Sequence, residues 1–331
     1  MYALTKTKIT LESAQTLIAA HFGGQARIAH FTELTDGMYN AAFLIELTSG
    51  EKTVLKVAPP DDVKVLRYEK NIMLAEVEVL RLLAAQTRVP VPQIFAYDTS
   101  RSLIDNDYFI MAYISGTSLF KLRPQLSAAD QYAIDFRTGE YLRQINAIQG
   151  QAFGYFAQPE THSFSWRAAF NAMLADVLQD GSDANVELPM PYDSLFAWLQ
   201  TFNPYLDSVK QPSLVHWDLW DGNIFIDETT KKITGILDCE RALWGDSLME
   251  VNFGAFGIQP ALVEGYGVDL LNQPGAKVRR ALYNVYLWLV MVIECSYRRF
   301  EPNDQESLAR GKLLEEIKVL ESLSGTGAAA R

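Results

Sequence analysis

The residues most suited to chemistry stand in a short polar stretch between two apolar ones. VHWDLWDGNIFID, residues 215–227, holds His216, Asp218 and Asn223 close to a glycine, with apolar residues on both sides. KITGILD then places Asp238 at the end of a further apolar run. Because a buried Asp or Asn is costly unless it is paired or bound to a metal, this arrangement predicts a functional site.

The residue types in this stretch suit phosphoryl transfer to an alcohol. Mg²⁺ takes hard oxygen ligands, few of them from protein, and phosphate oxygens and waters complete its shell. An Asn carboxamide and an Asp carboxylate are a suitable pair, and a second Asp that is not a ligand can accept a hydroxyl proton. The protein then mainly positions reactants and neutralises charge. The Asp-Gly-Asn piece alone favours a plain turn, but the whole H-x-D-x(4)-N pattern followed by a strand-terminal Asp favours the site.

A lysine inside an apolar strand is the second feature. Lys56 lies in TVLKVAP, where the pleat places it on one face of the strand with its apolar neighbours on the other. From there its ammonium group could reach the α- and β-phosphates of a nucleotide if an acid holds it. Glu76 on the following helix is the preferred partner, with Glu69 and Glu78 as rivals. A lone V-L-K would more often be an exposed strand lysine.

Length, composition and charge limit the partners. The chain has 331 residues, 49% hydrophobic and 21% charged, and a formal net charge of −11. This is the profile of a globular protein with a sizeable core. Nucleic acid and anionic membranes are unfavoured partners, because binding them needs clustered Lys and Arg. The acidic balance is compatible with a cationic small molecule, and it could also serve solubility alone.

Cysteine usage and the N-terminus predict a cytoplasmic protein. The two cysteines, Cys239 and Cys295, are too few for a disulfide framework or a four-ligand zinc site, so a reducing compartment is expected. The first seventeen residues contain no continuous apolar segment of the kind that signal peptides need. The longest apolar run, from Leu287 to Ile293, is too short to cross a bilayer.

Hydrophobic periodicity predicts a β-rich first third. A helix from Leu11 to His21 should follow the N-cap residue Thr10. Alternation with a period of two then predicts three antiparallel strands in ARIAHFTEL, NAAFLIELTSG and KTVLKVAP. A helix from about Asp62 to Ala85 comes next, and VPVPQIFAYD and DYFIMAYI are expected to be extended.

The rest of the chain is predicted to be mainly helical. Residues 213–238 are its one β-like part. Helices are expected over residues 127–149, 165–180, 191–209, 277–300 and 304–323. The chain is therefore predicted to be an α+β protein with two lobes. Residues 1–113 would form an N-terminal nucleotide-binding lobe, an antiparallel sheet with one inserted helix, and residues 114–331 a larger helical lobe with the catalytic loop and the acceptor site.

Several motifs together resemble a known family, the aminoglycoside phosphotransferase and choline kinase superfamily. This is the small-molecule branch of the protein-kinase-like fold, and the resemblance covers roughly residues 30 to 300. It implies the bilobal protein-kinase-like fold and a kinase that uses Mg²⁺ and ATP or GTP. The motifs are DGMYNAAFLI, VLKVAP, AEVEVL, VPVPQI, FIMAYISG, VHWDLWDGN, ILDCERALWGD and LMEVNF.

The resemblance implies roles for the central residues. Asp218 would be the catalytic base that orients the acceptor hydroxyl. Asn223 and Asp238 would hold Mg²⁺. Lys56 would bind phosphate and pair with Glu76.

It also implies a nucleotide-binding surface. The turn from Gly37 to Asn40 would cover the nucleotide phosphates. In FIMAYISG, which would connect the lobes, the backbone at Ala112 and Ile114 would hydrogen-bond adenine. His216 is expected to brace the catalytic loop without acting as a base.

Departures from the protein-kinase pattern favour a small-molecule acceptor. No G-x-G-x-x-G precedes Lys56, Cys239-Glu240 follows Asp238 in place of Phe-Gly, and no long activation segment is present. A P-loop kinase is excluded for want of G-x-x-x-x-G-K-[ST]. A nucleotide-binding pseudokinase remains the alternative from another class, although none of the four central residues is lost.

The acceptor is left open between an aminoglycoside, a macrolide, choline, homoserine and a sugar. Aromatic residues with acids could hold an ammonium group, so the acceptor could be cationic. Glu294 interrupts an apolar helix, and its partner could simply be Arg298 at i+4. Tyr286 fits the core better than a pocket. The candidates near the acceptor are Trp217, Trp220, Glu240, Arg241, Trp244, Tyr286 and Glu294.

Overall fold

A computed structural model of the chain describes residues 5–35, 37, 39–298 and 304–327, with side chains up to residue 324. The strands are β1 Ile28–Leu34, β2 Ala41–Leu47, β3 Lys52–Val57, β4 Ile94–Asp98, β5 Tyr108–Ala112, β6 Thr117–Ser118, β7 Gly154–Tyr155, β8 Ser213–Val215, β9 Ile224–Ile226, β10 Ile233–Ile236, β11 Leu243–Gly245, β12 Phe253–Gly254 and β13 Gly257–Ile258. The helices are α1 Leu11–Phe22, α2 Ile72–Gln86, α3 Leu119–Leu122, α4 Ala128–Asn146, α5 Trp166–Asp183, α6 Tyr192–Gln200, α7 Asn203–Leu206, α8 Pro260–Tyr266, α9 Ala276–Arg298 and α10 Asp304–Gly327.

A five-stranded antiparallel sheet forms the N-terminal part, in the order β1-β2-β3-β5-β4. The two faces of β3 pack differently because side chains alternate along a strand. Leu55 and Val57 belong to a cluster with α1, while Val54 packs with residues of α2. Lys56 is therefore on the α2 face, as the sequence predicted.

Helix α1 also follows its prediction. The Thr10 hydroxyl accepts a hydrogen bond from the Ser13 amide, 3.1 Å away, and so satisfies one of the free donors at the start of the helix. The helix buries Ala14, Leu17 and Ile18 against the sheet.

Helix α2 begins ten residues later than the sequence predicted, at Ile72 and not near Asp62. The segment before it is tied to the C-terminal part of the chain. The side-chain nitrogen of Gln158 lies 3.0–3.1 Å from three main-chain carbonyl oxygens between Arg67 and Lys70, which share its two N–H donors. These carbonyls bond a distant side chain and so do not continue the helix toward its N-terminus.

Helix α2 packs on both parts of the molecule. Met73 and Val77 contact the sheet, whereas Val79, Leu80 and Leu83 join the large C-terminal core. A rigid helix so placed links the sheet to the helical part, and it carries Glu76 between them.

The C-terminal part is mainly helical, which confirms the α+β class. Two small sheets, β10-β9-β6 and β7-β11-β8, support the loops of the site. Helices α4 and α8 approach closely, since a Cβ at Gly139 would lie 2.0 Å from the Leu262 carbonyl oxygen. The single helix expected over residues 191–209 is two helices, α6 and α7, and Pro204 lies in the first turn of the second.

Helix α9 lies at the centre of this core and buries residues on all sides, as a core helix does. Within the described ranges no helix is both long and apolar enough to cross a membrane.

Candidate active site

The loop between β8 and β9 brings three predicted residues together. The Asn223 amide donates to the Asp218 carbonyl oxygen at 2.9 Å and to the Asp218 carboxylate at 3.1 Å. The Leu237 amide donates to the Asn223 carbonyl oxygen at 3.0 Å, which holds β10 and the following Asp238 beside the loop. Hydrogen bonds between neighbouring segments therefore set the arrangement.

His216 links the same segments and remains neutral. Its Nδ1 accepts from the Asp218 amide at 3.3 Å, and its Nε2 lies 3.2 Å from the Leu237 carbonyl oxygen. Burial lowers the pKa of His216 to about 4, although Asp238 opposes this shift. A neutral imidazole held by the main chain fits the predicted bracing role.

Glu250, for which the sequence predicted no role, binds the main chain of this loop. Its carboxylate accepts from the amides of His216 and Trp217, each at 2.9 Å, and from the Asn146 side chain at 2.8 Å. Trp217 has φ of 63°, a left-handed conformation that is strained for a bulky residue. Burial raises the pKa of Glu250 to about 7, although these hydrogen bonds oppose the shift. Glu250 thus stabilises a strained turn directly before Asp218.

Lys56 lies between two acids. Its ammonium group is 2.6 Å from Glu76 and 2.5 Å from Asp238, while the rivals Glu69 and Glu78 bond to Arg298 and Arg81. The structure therefore pairs Lys56 with Glu76. Lys56 of β3 therefore contacts both Glu76 of α2 and Asp238, which follows β10.

Acidic side chains outnumber basic ones around Lys56. Burial would lower the pKa of Lys56, but Asp238 and Glu76 raise it, so the lysine is charged. Burial raises the pKa of Glu76 to about 8 despite Lys56. Burial likewise raises the pKa of Glu240, whose carboxylate accepts from the Asn40 amide at 3.1 Å. Three acids around one lysine leave room for a further cation.

The donor atoms fit Mg²⁺. With its amide nitrogen engaged by Asp218, the Asn223 side-chain oxygen accepts from no described residue, and the Asp238 side chain is 38% exposed. Among the residues that the structure describes, no three His, Cys, Asp or Glu side chains could form a complete metal cage. The available oxygens of Asn223 and Asp238 suit an ion that takes few protein ligands. The burial of Asp218 raises its pKa to about 7, and Arg241 opposes that shift.

The predicted nucleotide-covering turn is linked to Glu240, one of the acids around Lys56. Gly37 is exposed, and Asn40 is tied to Glu240. The Tyr39 ring lies 5.4 Å from the Arg298 guanidinium group. Met38, in the same turn, falls outside the described residues.

The predicted connection between the lobes packs on the β9–β10 hairpin. The Ala112 amide donates to the Gln93 carbonyl oxygen at 2.8 Å and is therefore engaged within the sheet region. The Ile114 side chain covers Gly235, where a Cβ would come within 2.6 Å of it. Gly116 has φ of 121° and touches the backbone of β9, so a side chain there would not fit.

Not all the predicted acceptor residues face the cleft. Trp217 and Tyr286 are buried and stacked, with ring centroids 5.3 Å apart, so Trp217 belongs to the core, where only Tyr286 was expected. Trp244 stacks on Phe156. Trp220 is 40% exposed at the mouth of the loop.

Asp221 has a structural role. Arg123 bonds both its carboxylate and that of Asp135, with contacts of 2.8 Å to each. This ion pair holds α3 and α4 to the loop.

Glu294 has more partners than the sequence suggested. Arg298 at i+4 is 3.4 Å away, and Arg241 donates to the same carboxylate oxygen at 3.0 Å. Arg298 also bonds Glu69, the acid just before α2. Four charged residues from three separate parts of the chain therefore form one cluster. A charge inside an apolar run was visible for Glu294 and Glu250. The pairing of Glu294 with Arg298 was predicted, but its contact with Arg241 and the partners of Glu250 were not.

A known protein family matches this chain. The model of the phosphotransferase enzyme family (APH) matches residues 30–283, more than half of the chain. The probable acyl-CoA dehydrogenase IBR3 of Arabidopsis thaliana is 27% identical over 222 residues, which are 66% of this chain and 26% of that protein. The probable ketoamine kinase of Vibrio cholerae is 25% identical over 224 residues, 64% of this chain and 71% of that protein. The chain thus spans about a quarter of the first relative and most of the second.

Solved structures show the same fold. A protein from Thermobifida fusca named as a fructosamine-3-kinase is 18% identical, with a TM-score of 0.66 over 94% of this chain and 99% of that one. The aminoglycoside phosphotransferase APH(4)-Ia, in a ternary complex with ADP and hygromycin B, is 18% identical, with a TM-score of 0.64 over 93% and 98%. The predicted fold class is confirmed by this likeness.

Proposed function

This chain belongs to the phosphotransferase enzyme family, and from that premise we propose that it is a small-molecule kinase. It transfers the γ-phosphate of ATP or GTP to a hydroxyl group of a small hydroxylated substrate. The observation that carries the proposal is the meeting of Lys56, Glu76 and Asp238 with Asp218 and Asn223 in one cleft. An ion-pair network with a purely structural role would not need more acids than bases around Lys56.

Asp218 acts on the acceptor. Its carboxylate accepts the proton of the attacking hydroxyl as the new oxygen–phosphorus bond forms and the bond to the β-phosphate oxygen breaks. The nucleoside diphosphate leaves with that electron pair. Asn223 and His216 hold Asp218 in place through the hydrogen bonds described above, so little reorganisation is needed during transfer.

Asn223 and Asp238 would hold Mg²⁺, which when bound neutralises the charge on the phosphates. Lys56, kept charged by Glu76 and Asp238, binds the phosphates. Asn40 is tied to Glu240 and orders the turn above them.

The remaining nucleotide contacts and the division into lobes are also proposals. Gly37 would cover the phosphates, and the backbone at Ala112 and Ile114 would bind adenine. Residues 1–113 would then carry the nucleotide and residues 114–331 the acceptor. Both cysteines are buried thiols.

Sugar-derived acceptors are the first choice for testing. They are supported by the relative named as a ketoamine kinase and by the complex of APH(4)-Ia with hygromycin B. Nucleotide turnover should be measured with fructosamines, aminoglycosides, macrolides, choline and homoserine, each with ATP and with GTP.

Stimulation by one acceptor that is lost in Asp218→Ala would establish both reaction and substrate class. Nucleotide binding without transfer to any acceptor would favour the pseudokinase. Unchanged transfer in Asp218→Ala would refute the assigned base.

A further inference from the structure

Glu250 is held at two ends, and one of these contacts leads away from the catalytic loop. Its carboxylate accepts from two main-chain amides that directly precede Asp218. Its own carbonyl oxygen accepts from Nη1 of Arg280 at 2.8 Å, and the same nitrogen bonds the Leu248 carbonyl oxygen. The position of Glu250, and with it that of the loop, therefore depends on an arginine of α9.

Arg280 is oriented by Asn284, one turn further along α9. Nε of Arg280 donates to the Asn284 side-chain oxygen at 2.9 Å, and Nη2 contacts the same oxygen. Both side chains are buried. Because a buried guanidinium group is costly without acceptors, this oxygen holds the arginine in its orientation.

Glu316 of α10 decides which end of Asn284 faces Arg280. The Asn284 side-chain nitrogen donates to Oε1 of Glu316 at 2.9 Å. An ionised carboxylate accepts hydrogen bonds but cannot donate them, so it binds the nitrogen end of the amide and leaves the oxygen end for Arg280. If the amide turned over, its N–H groups would face the N–H groups of the guanidinium group, and this contact would be lost.

Helix α10 follows the part of the chain that the family model matches, which ends at residue 283. Its buried residues Ala309, Leu313 and Ile317 belong to the large core. Apolar packing of this kind attaches the helix to α9, but it does not require an acid at position 316. A half-buried carboxylate costs free energy unless it is hydrogen-bonded, so Glu316 indicates a further role for the helix.

We propose that Glu316 is a positioning residue for phosphate transfer, which acts on Asp218 through this chain of hydrogen bonds. The chain runs through Asn284, Arg280 and Glu250. It ends at the left-handed residue directly before Asp218, whose strained conformation would relax if Glu250 moved. The inference rests on the proposed kinase function, because it concerns the rate of that transfer.

Steady-state kinetics with the best acceptor tests this role. Glu316→Ala should lower kcat about tenfold, because a small displacement of Asp218 disturbs the geometry of transfer. KM for the nucleotide and for the acceptor should change less than about twofold, since the groups that bind them are unaltered. Glu316→Gln keeps an acceptor oxygen for Asn284 and should restore most of kcat. A loss that appears in KM and not in kcat would contradict the role.

Glu315→Ala is the matched control, because Glu315 is an exposed acid at the preceding position of α10 that pairs with Lys312. This variant should leave kcat and KM unchanged. A double variant with Glu250→Gln tests the path. If Glu316 acts through Glu250, Glu316→Ala should lower kcat far less in that background than in the wild type. Equal reductions in both backgrounds would overturn the inference.

Hydrogen exchange follows the end of the chain without any substrate. The amides of His216 and Trp217 donate to Glu250, so their exchange reports whether Glu250 stays in place. In peptides that cover residues 214–219, exchange measured by mass spectrometry should be about fivefold faster in Glu316→Ala and unchanged in Glu315→Ala. Peptides from β5 should exchange as in the wild type, which excludes a general loss of stability.

This readout separates the inference from the proposed function. Faster exchange at the loop in a protein that phosphorylates none of the acceptors would support the chain of hydrogen bonds and refute the kinase. Unchanged exchange and unchanged kcat in Glu316→Ala would overturn the inference and leave the kinase standing.

Discussion

Two buried ionic clusters lie side by side between the sheet and the helical part, and they differ in charge balance. The lysine cluster contains Lys56, Glu76, Asp238 and Glu240, three acids around one base. One oxygen of the Glu76 carboxylate is buried without a hydrogen-bond partner. Burying charges without compensation is costly, and the raised pKa of Glu76 means that a proton, or a bound cation in its place, supplies the missing positive charge.

The arginine cluster contains Glu69, Glu294, Arg241 and Arg298, two acids and two bases. Its charges are paired within the protein. It joins the segment before α2 to helix α9. We infer from this difference that a cluster with more acids than bases indicates a site for a cation and its ligand. A cluster with equal numbers of acids and bases indicates a structural contact between segments.

The strongest test breaks the lysine cluster. Lys56→Met should lower kcat for phosphate transfer by about a thousandfold, because the phosphates lose a preorganised charge. Steady-state kinetics with the best acceptor measures this. Lys52→Met, on the same strand but with a 44% exposed side chain, is the matched control and should change kcat less than twofold. A loss of under tenfold in Lys56→Met would contradict the assignment.

Breaking the arginine cluster should affect stability first. Arg298→Leu leaves Glu69 without its cation and should lower the free energy of unfolding by about 4 kcal/mol. Urea unfolding measures this, and Lys70→Gln, which breaks an exposed ion pair with Glu160, should cost under about 0.5 kcal/mol. The double variant Arg298→Leu, Glu69→Leu should recover part of the loss. No recovery would mean that Arg298 acts by packing alone.

Glu250 provides a third case for comparison with the two clusters, because it is a buried acid that belongs to neither. Its pKa is raised from 4.5 to about 7 by burial. Between these values the folded protein retains a proton that the unfolded chain has released, so the contribution of Glu250 to stability falls as pH rises. Relative to Glu250→Gln, the wild type should lose roughly 3 kcal/mol between pH 4.5 and 7.

Urea unfolding of both proteins across this range isolates Glu250, since shifts at other groups such as His216 cancel in the difference. A difference that stays flat with pH would show that hydrogen bonds from the main chain keep Glu250 ionised.

Binding of a nucleotide with Mg²⁺ should stabilise the folded protein, because the metal ion supplies positive charge to the lysine cluster. ADP with Mg²⁺ at a hundred times its dissociation constant should raise the free energy of unfolding by about 2.7 kcal/mol. In Asp238→Asn the part that depends on Mg²⁺ should disappear. Glu160→Gln, on the surface, should keep it. A stabilisation by ADP that is the same with and without Mg²⁺ would argue against the metal site.

Much of the fold was accessible from local patterns. The alternation in β1, β2 and β3 and the cap at Thr10 depend on neighbours in sequence, and both were predicted correctly. The start of α2 was not, because Gln158 competes for the carbonyls of the preceding segment from far along the chain. Periodicity carries no information about such a partner.

The sequence by itself determined which residues could do chemistry. The types and spacing of Asp218, Asn223, Asp238 and Lys56 indicated phosphoryl transfer before any contact was known. Tertiary structure decided the environment of these residues, since burial and charge depend on segments that meet only in the folded chain. It buried Trp217 and engaged Glu294 with two arginines.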